Sequence, residues 1–199
     1  MTQLKDTKEK ILKTSLTLFA EKGYHAASVR NITSKLGFRE SALYNHFSSK
    51  ESILEALCEK YKSGRINKVI LTDDLLDELS RPEKFLEIFA KRLFEFWSDE
   101  EEKLFFQFVL KEIEINLNQL TISINSYLDE LRSIWWMIFD EMKKLKIIKN
   151  IDPQIITDEY ISRLFMLRIE FTIKKYSKDE LIKKIDGHIN FIWNAIKPD

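Results

Sequence analysis

Apolar residues recur at three- and four-residue spacing along most of the chain, a period that predicts helices. Ile11, Leu12, Ser15, Leu18 and Phe19 form one face of a first helix over about 7–22, ended by Gly23. Val29–Leu36 and Arg39–His46 read as two short helices. Gly37 lies between them, where a residue free to take positive φ closes the turn at little cost. A fourth helix starts after Ser49 and runs to about Leu71, with Ile53, Leu57 and Tyr61 on one side. Polar caps mark the starts: Ser28, the Ser-x-x-Glu patterns at Ser48, Ser80 and Ser177, and Asp152 ahead of Pro153. They divide the remainder into five helices over 82–98, 101–118, 121–146, 153–176 and 178–197, which makes about nine in all. Four glycines and three prolines in 199 residues leave too few turn residues for a β fold, so the expectation is all-α.

Within that pattern, residues 23–51 have the layout of a helix-turn-helix, whose common use is to hold its second helix in the DNA major groove. The charge distribution agrees. The net charge of zero hides nine Lys/Arg against four Asp/Glu in residues 1–50, a basic amino-terminal part on a mildly acidic body. Other chemistry finds no support. Cys58 is the single cysteine, which leaves neither a disulfide nor a cysteine metal site. No nucleophile elbow, phosphate-binding glycine loop or His/Cys metal cluster is present, so no catalytic residue, metal site or cofactor is expected, and the chain reads as a non-enzyme. No apolar run approaches the ~20 residues of a membrane span, nor is there an apolar secretory segment at the start. Cytoplasm is the expected compartment.

Three stretches carry a family resemblance: Phe19-Ala20-Glu21-Lys22-Gly23-Tyr24, Ser28-Val29-Arg30-Asn31-Ile32, and Leu43-Tyr44-Asn45-His46-Phe47-Ser48-Ser49-Lys50-Glu51. In order and spacing they resemble the DNA-binding domain of TetR/AcrR-type transcriptional regulators over about residues 7–57. The resemblance implies an amino-terminal three-helix DNA-binding domain, residues 1–50, and a helical effector-binding and dimerisation domain, residues 51–199. It also implies roles. Ser28 caps the second helix and meets a phosphate, Arg30 reads guanine, Tyr44 and His46 touch the DNA backbone, and Lys50 offers a cation to the next phosphate. Arg39, Glu40, Ser41, Ala42 and Asn45 fall where sequence reading varies, while Leu43 and Phe47 pack inward. Arg39, Ser41 and Phe38 depart from the small cap, the Gly or Pro, and the Val that are frequent in the family, which bears on the preferred bases.

The body holds two charged residues on apolar faces. Over 101–118, Phe106, Leu110, Ile113 and Leu117 form one apolar face and Phe105, Phe108, Val109 and Ile115 a second; Glu112 projects from the second, with Asn116 nearby. A carboxylate there needs a partner, protonation or a wet cavity. Over 153–176, Arg168 and Thr172 fall among Ile161, Leu164 and Phe165. Arg168 could pair with Glu112 as an internal ion pair, cross a dimer seam, or meet a ligand in an effector pocket of Trp97, Phe105, Phe108, Glu112, Asn116, Trp135, Trp136 and Arg168. The last two helices carry Ile161, Leu164, Phe165 and Phe171, and Ile185, Ile189, Ile192 and Trp193. These either finish a monomer core or form a four-helix dimer seam; the resemblance favours the seam. The expected function is a ligand-responsive homodimeric regulator, a repressor released from double-stranded operator DNA by a small hydrophobic effector, with the fourth helix as lever. The alternative is a DNA-binding regulator without an effector, its body serving dimerisation or protein contacts.

Overall fold

The computed structural model describes residues 2–61, 65–112, 118–174 and 176–198, excepting the side chains of 2–5, 65–67 and 118–124. Among the described residues every regular element is helical. The helices are α1 (Thr2–Lys22), α2 (Val29–Leu36), α3 (Glu40–Tyr44), α4 (Lys50–Lys60), α5 (Arg65–Ile70), α6 (Asp73–Leu76), α7 (Pro82–Trp97), α8 (Glu100–Glu112), α9 (Asn118–Lys144), α10 (Pro153–Lys174) and α11 (Lys178–Ile196). A 3-10 turn, Asp77–Ser80, joins α6 to α7.

The all-α expectation holds, with eleven helices among the described residues where nine were expected. The expected fourth helix is α4 and α5, and residues 62–64 lie outside the described ones. The short α6 was not anticipated at all. Two caps also differ. The start of α4 is capped by Ser49, whose Oγ accepts from Ser52 N at 3.1 Å while Ser52 Oγ accepts from Ser49 N. Ser48 lies one residue too early, because Lys50 is the first helical residue. Glu51 still places a carboxylate in the first turn, where the helix dipole favours it. At α7, Ser80 is taken up by the 3-10 turn, so the cap position falls to Arg81, which makes no side-chain cap bond. Ser177 and Glu180 form the expected capping box on α11, and Asp152 Oδ1 accepts from Gln154 N beside Pro153.

The helices pack into two units, residues 1–62 with 99–125, and 63–98 with 126–199, so the boundary falls within α9. The division at residue 50 drawn from the sequence put α4 and α8 with the body; packing groups both with α1–α3. In the first unit, Ile11, Leu16 and Phe19 of α1, Ile32 of α2, Leu43 of α3 and Ile53, Leu54 and Leu57 of α4 close a core with Phe105, Phe108 and Val109 of α8. Phe108 meets Phe19 with ring centres 5.5 Å apart, and Phe105 stacks on Tyr61 at 4.5 Å. Cys58 is buried in this core, which pushes its thiol up to about 11 and keeps it out of thiolate chemistry.

The second unit is built on Trp135 of α9, fully buried among Phe85 and Phe89 of α7, Phe139 of α9 and Tyr160 of α10. Ring centres lie 4.3 to 5.9 Å away, within range of favourable aromatic pairing. The Tyr160 hydroxyl donates to Leu86 O at 2.9 Å, which satisfies a buried polar group at the centre. Leu181, Ile185, Ile189, Ile192 and Ile196 of α11 complete this core.

Candidate nucleic-acid interface

The candidate interface is set by how α2 begins and ends. Ser28 is extended (φ −102, ψ 159); its Oγ accepts from Asn31 N, and Asn31 Oδ1 accepts from Ser28 N, a reciprocal cap with Asn in the place of the usual Glu. Gly37 ends the helix at φ 69, with Gly37 N donating to Ser34 O and Phe38 N to Thr33 O. This left-handed termination suits Gly because it has no Cβ to strain. α3 follows α2 after three residues and is only five residues long. It is held from within by Leu43 and Phe47, which are buried as expected.

Burying Ile32, Leu43 and Phe47 turns the polar residues outward. Ser28, Arg30, Arg39, Glu40, Ser41, Tyr44 and Asn45 are exposed, and Ala42 and His46 are half-buried. Tyr44 keeps half of its surface in solvent, a large exposed aromatic beside a chain of polar groups. Arg39 holds the cap position of α3 without a side-chain cap bond, consistent with its departure from the usual small residue.

Lys50 is different. Its Nζ donates to Tyr24 O at 2.8 Å and Ala27 O at 2.9 Å, and it sits 4.2 Å from the centre of the Tyr24 ring. Burial lowers its pKa, against the pull of the Glu112 charge, which raises it. With two of three N–H bonds given to carbonyls, it holds the turn before α2, and a phosphate would have only the third.

The effector-pocket candidates separate between the units. Phe105 and Phe108 are core residues of the first unit, and Glu112, also there, accepts from Tyr24 N at 2.9 Å. In the second unit Trp135 is core, Trp136 is 41% exposed, and Trp97 and Arg168 come together. The Arg168 guanidinium lies 4.7 Å over the Trp97 ring, and Arg168 Nη1 and Trp97 Nε1 both donate to the Tyr127 hydroxyl, at 3.4 and 3.2 Å. Asn116 lies outside the described residues. Tyr127 was missed, having no periodicity signal beyond an ordinary amphipathic position. Of the dimer candidates, Ile161, Leu164, Ile185, Ile189 and Ile192 are buried within this chain's own core. Phe171 and Trp193 pack partly against it, and Phe165 is half-buried. The exposed apolar residues of α10 and α11 are Ile155, Met166, Ile173 and Phe191. Phe191 lines a shallow groove with Glu159, Arg163, Lys184, Gly187 and His188. No helix among the described residues is long and apolar enough to cross a membrane.

A short, externally polar second helix carried on an apolar three-helix base makes the amino-terminal part a helix-turn-helix DNA-binding domain. Residues 11–57 match the family described as bacterial regulatory proteins, tetR family. It is 42% identical over 66 residues to the uncharacterized HTH-type transcriptional regulator YerO of Bacillus subtilis, covering 33% of this chain and 23% of that protein. It is 32% identical over 99 residues to IcaR of Staphylococcus aureus, the negative transcriptional regulator of the biofilm operon icaADBC, covering 48% of each. The matches thus span about half or less of these relatives' lengths. The whole fold is shared with the ketosteroid transcriptional regulator KstR2 of Mycobacterium tuberculosis, at TM-score 0.69 and 16% identity over 97% of this chain and 96% of that one.

Proposed function

We propose that the chain is a homodimeric transcriptional repressor of cytoplasmic DNA, released from its operator by a small hydrophobic molecule. The observation that carries the reading is the exposed polar row of α2 and α3, with Arg30, Arg39, Tyr44 and Asn45 outward and Ile32, Leu43 and Phe47 inward. Arg30 offers the planar fork that pairs with guanine. Ser28, Tyr44 and His46 meet the phosphates and fix the register, and Glu40, Ser41 and Ala42 meet base edges. The negative sign of regulation follows the reading of IcaR, a negative regulator by name.

In this reading the dimer forms on the outer faces of α10 and α11, where Met166 and Phe191 are exposed and Phe191 lines the groove at Gly187. Nothing lies within 4 Å of where a Cβ on Gly187 would be, so a partner side chain has room there. The inward-facing isoleucines support those faces from beneath. A twofold dimer presents two heads to two half-sites. The effector role narrows to Trp97, Tyr127 and Arg168, where aromatic faces and a cation meet in the second unit. Fold neighbours described as a ketosteroid regulator and a flavonoid-responsive regulator support a hydrophobic ligand.

Selection from random double-stranded DNA tests this. The expected product is one sequence with two inverted half-sites, released when a hydrophobic effector is added. Selective binding that no compound disturbs would favour a body used only for dimerisation or protein contacts. Failure to enrich any sequence would contradict the reading.

A further inference from the structure

One carboxylate in the first unit is buried at a cost that its hydrogen bonding does not offset. Glu112, the last residue of α8, is 2% exposed. Its Oε1 accepts from Tyr24 N at 2.9 Å, and its Oε2 is buried without a hydrogen-bond partner among the described residues. Burying a carboxylate with one donor costs more than that bond returns, so an apolar residue would pack there more favourably.

What Glu112 touches gives the residue a use. Tyr24 lies in the turn between α1 and α2, four residues before the Ser28 cap. Its N–H is taken by Glu112, and its carbonyl, with that of Ala27, by Lys50. An acid from α8 and a base from α4 therefore hold the two sides of one residue. The neighbouring Lys111 donates to Ala20 O and Glu21 O, closing the carbonyl end of α1. Gly23 makes the approach possible: at φ 85 it is strained for any other residue, and a Cβ there would lie 2.8 Å from Glu112 Oε1. The other end of α8 is tied as well, with Glu101 accepting from Lys60 Nζ at 3.0 Å and from the Tyr61 hydroxyl at 2.8 Å.

We propose that Glu112, outside the helix-turn-helix and touching no DNA, is a positioning residue for DNA recognition. By fixing the Tyr24 N–H opposite Lys50 it sets where α2 begins, and hence where Ser28 and Arg30 face the groove. The proposal rests on the DNA-binding reading of the same head and adds α8 to the reading machinery.

Two measurements on Glu112→Ala and Glu112→Gln test it: amide exchange across the first unit, and operator affinity over a salt series. The Ala variant leaves Tyr24 N–H without its acceptor. Its exchange is expected to quicken at residues 23–28 alone, with affinity lower by about tenfold. Its salt slope stays that of the native chain, because no phosphate contact is lost. The Gln variant keeps an acceptor oxygen in the same place and is expected to restore both readouts most of the way. Native affinity in the Ala variant would overturn the proposal, as would exchange that quickens evenly through the unit. The exchange arm needs no DNA, so a native chain that fails to select an operator would sink the DNA-binding reading separately.

Discussion

Single side chains here do work that their type alone does not announce. Lys50 holds a turn; Glu112 sits buried against the Tyr24 N–H. His188 is a third case. It is buried on α11 with Nε2 3.0 Å from Tyr160 O, so that nitrogen carries the hydrogen and donates it. Burial and the charge of Arg163 hold its pKa below the ordinary 6.5, against the Tyr160 bond and Glu159. The fold therefore favours the neutral ring. Stability from this group is complete above pH 6.5 and is lost as pH falls through 6.5 toward the lower folded value. Thermal melts from pH 8 to pH 5 should show this decline, and His188→Gln should flatten part of it. An unchanged profile in the variant would show that His188 does not titrate in this range.

The helices follow from local chemistry more closely than their packing does. Ser28, Gly37, Pro153 and the Ser177 box sit where side-chain and backbone rules place them, and α2 has the bounds its sequence predicts. Two adjacent serines offer nearly the same cap; Ser49 takes it, because its extended backbone directly precedes Lys50, the first helical residue. Ser49→Ala is expected to lower the melting stability by about 1 kcal/mol. Ser48→Ala, one residue away, should leave it nearly unchanged; the reverse order would contradict the assignment. α6 escaped notice because four residues carry no periodicity, although Thr72 ahead of two aspartates is a fair start signal. Glu112 shows where sequence reading stops. Its misfit on an apolar face was visible, but its partner Tyr24 is 88 residues away, and nothing local names it.

The molecule as a whole separates what helical periodicity can say from what assembly requires. Ile161, Leu164, Ile185, Ile189 and Ile192 were equally good as core or seam, since burial against one's own chain and against a copy need the same side chains. The structure uses them as core and leaves Phe191 70% exposed. Phe191→Asp is expected to convert a dimer to a monomer in sedimentation while the helix content stays native, because the ring supports no core of its own. A native chain that is already monomeric would contradict the dimer, and a variant that stays dimeric would place the interface elsewhere. The helix-turn-helix was the most readable part, since its cap and turn chemistry is local. The body was least readable, its aromatic candidates dividing between two units.

The decisive measurement is binding of the purified protein to the DNA flanking its own gene, over a salt series, with Arg30→Ala beside the native chain. The reading of the head predicts tight, sequence-selective binding that weakens steeply with salt. It also predicts that Arg30→Ala costs about 1–3 kcal/mol and relaxes the choice of base at one position. Equal affinity for random DNA, with no effect of the substitution there or on DNA selected from a random pool, would contradict it.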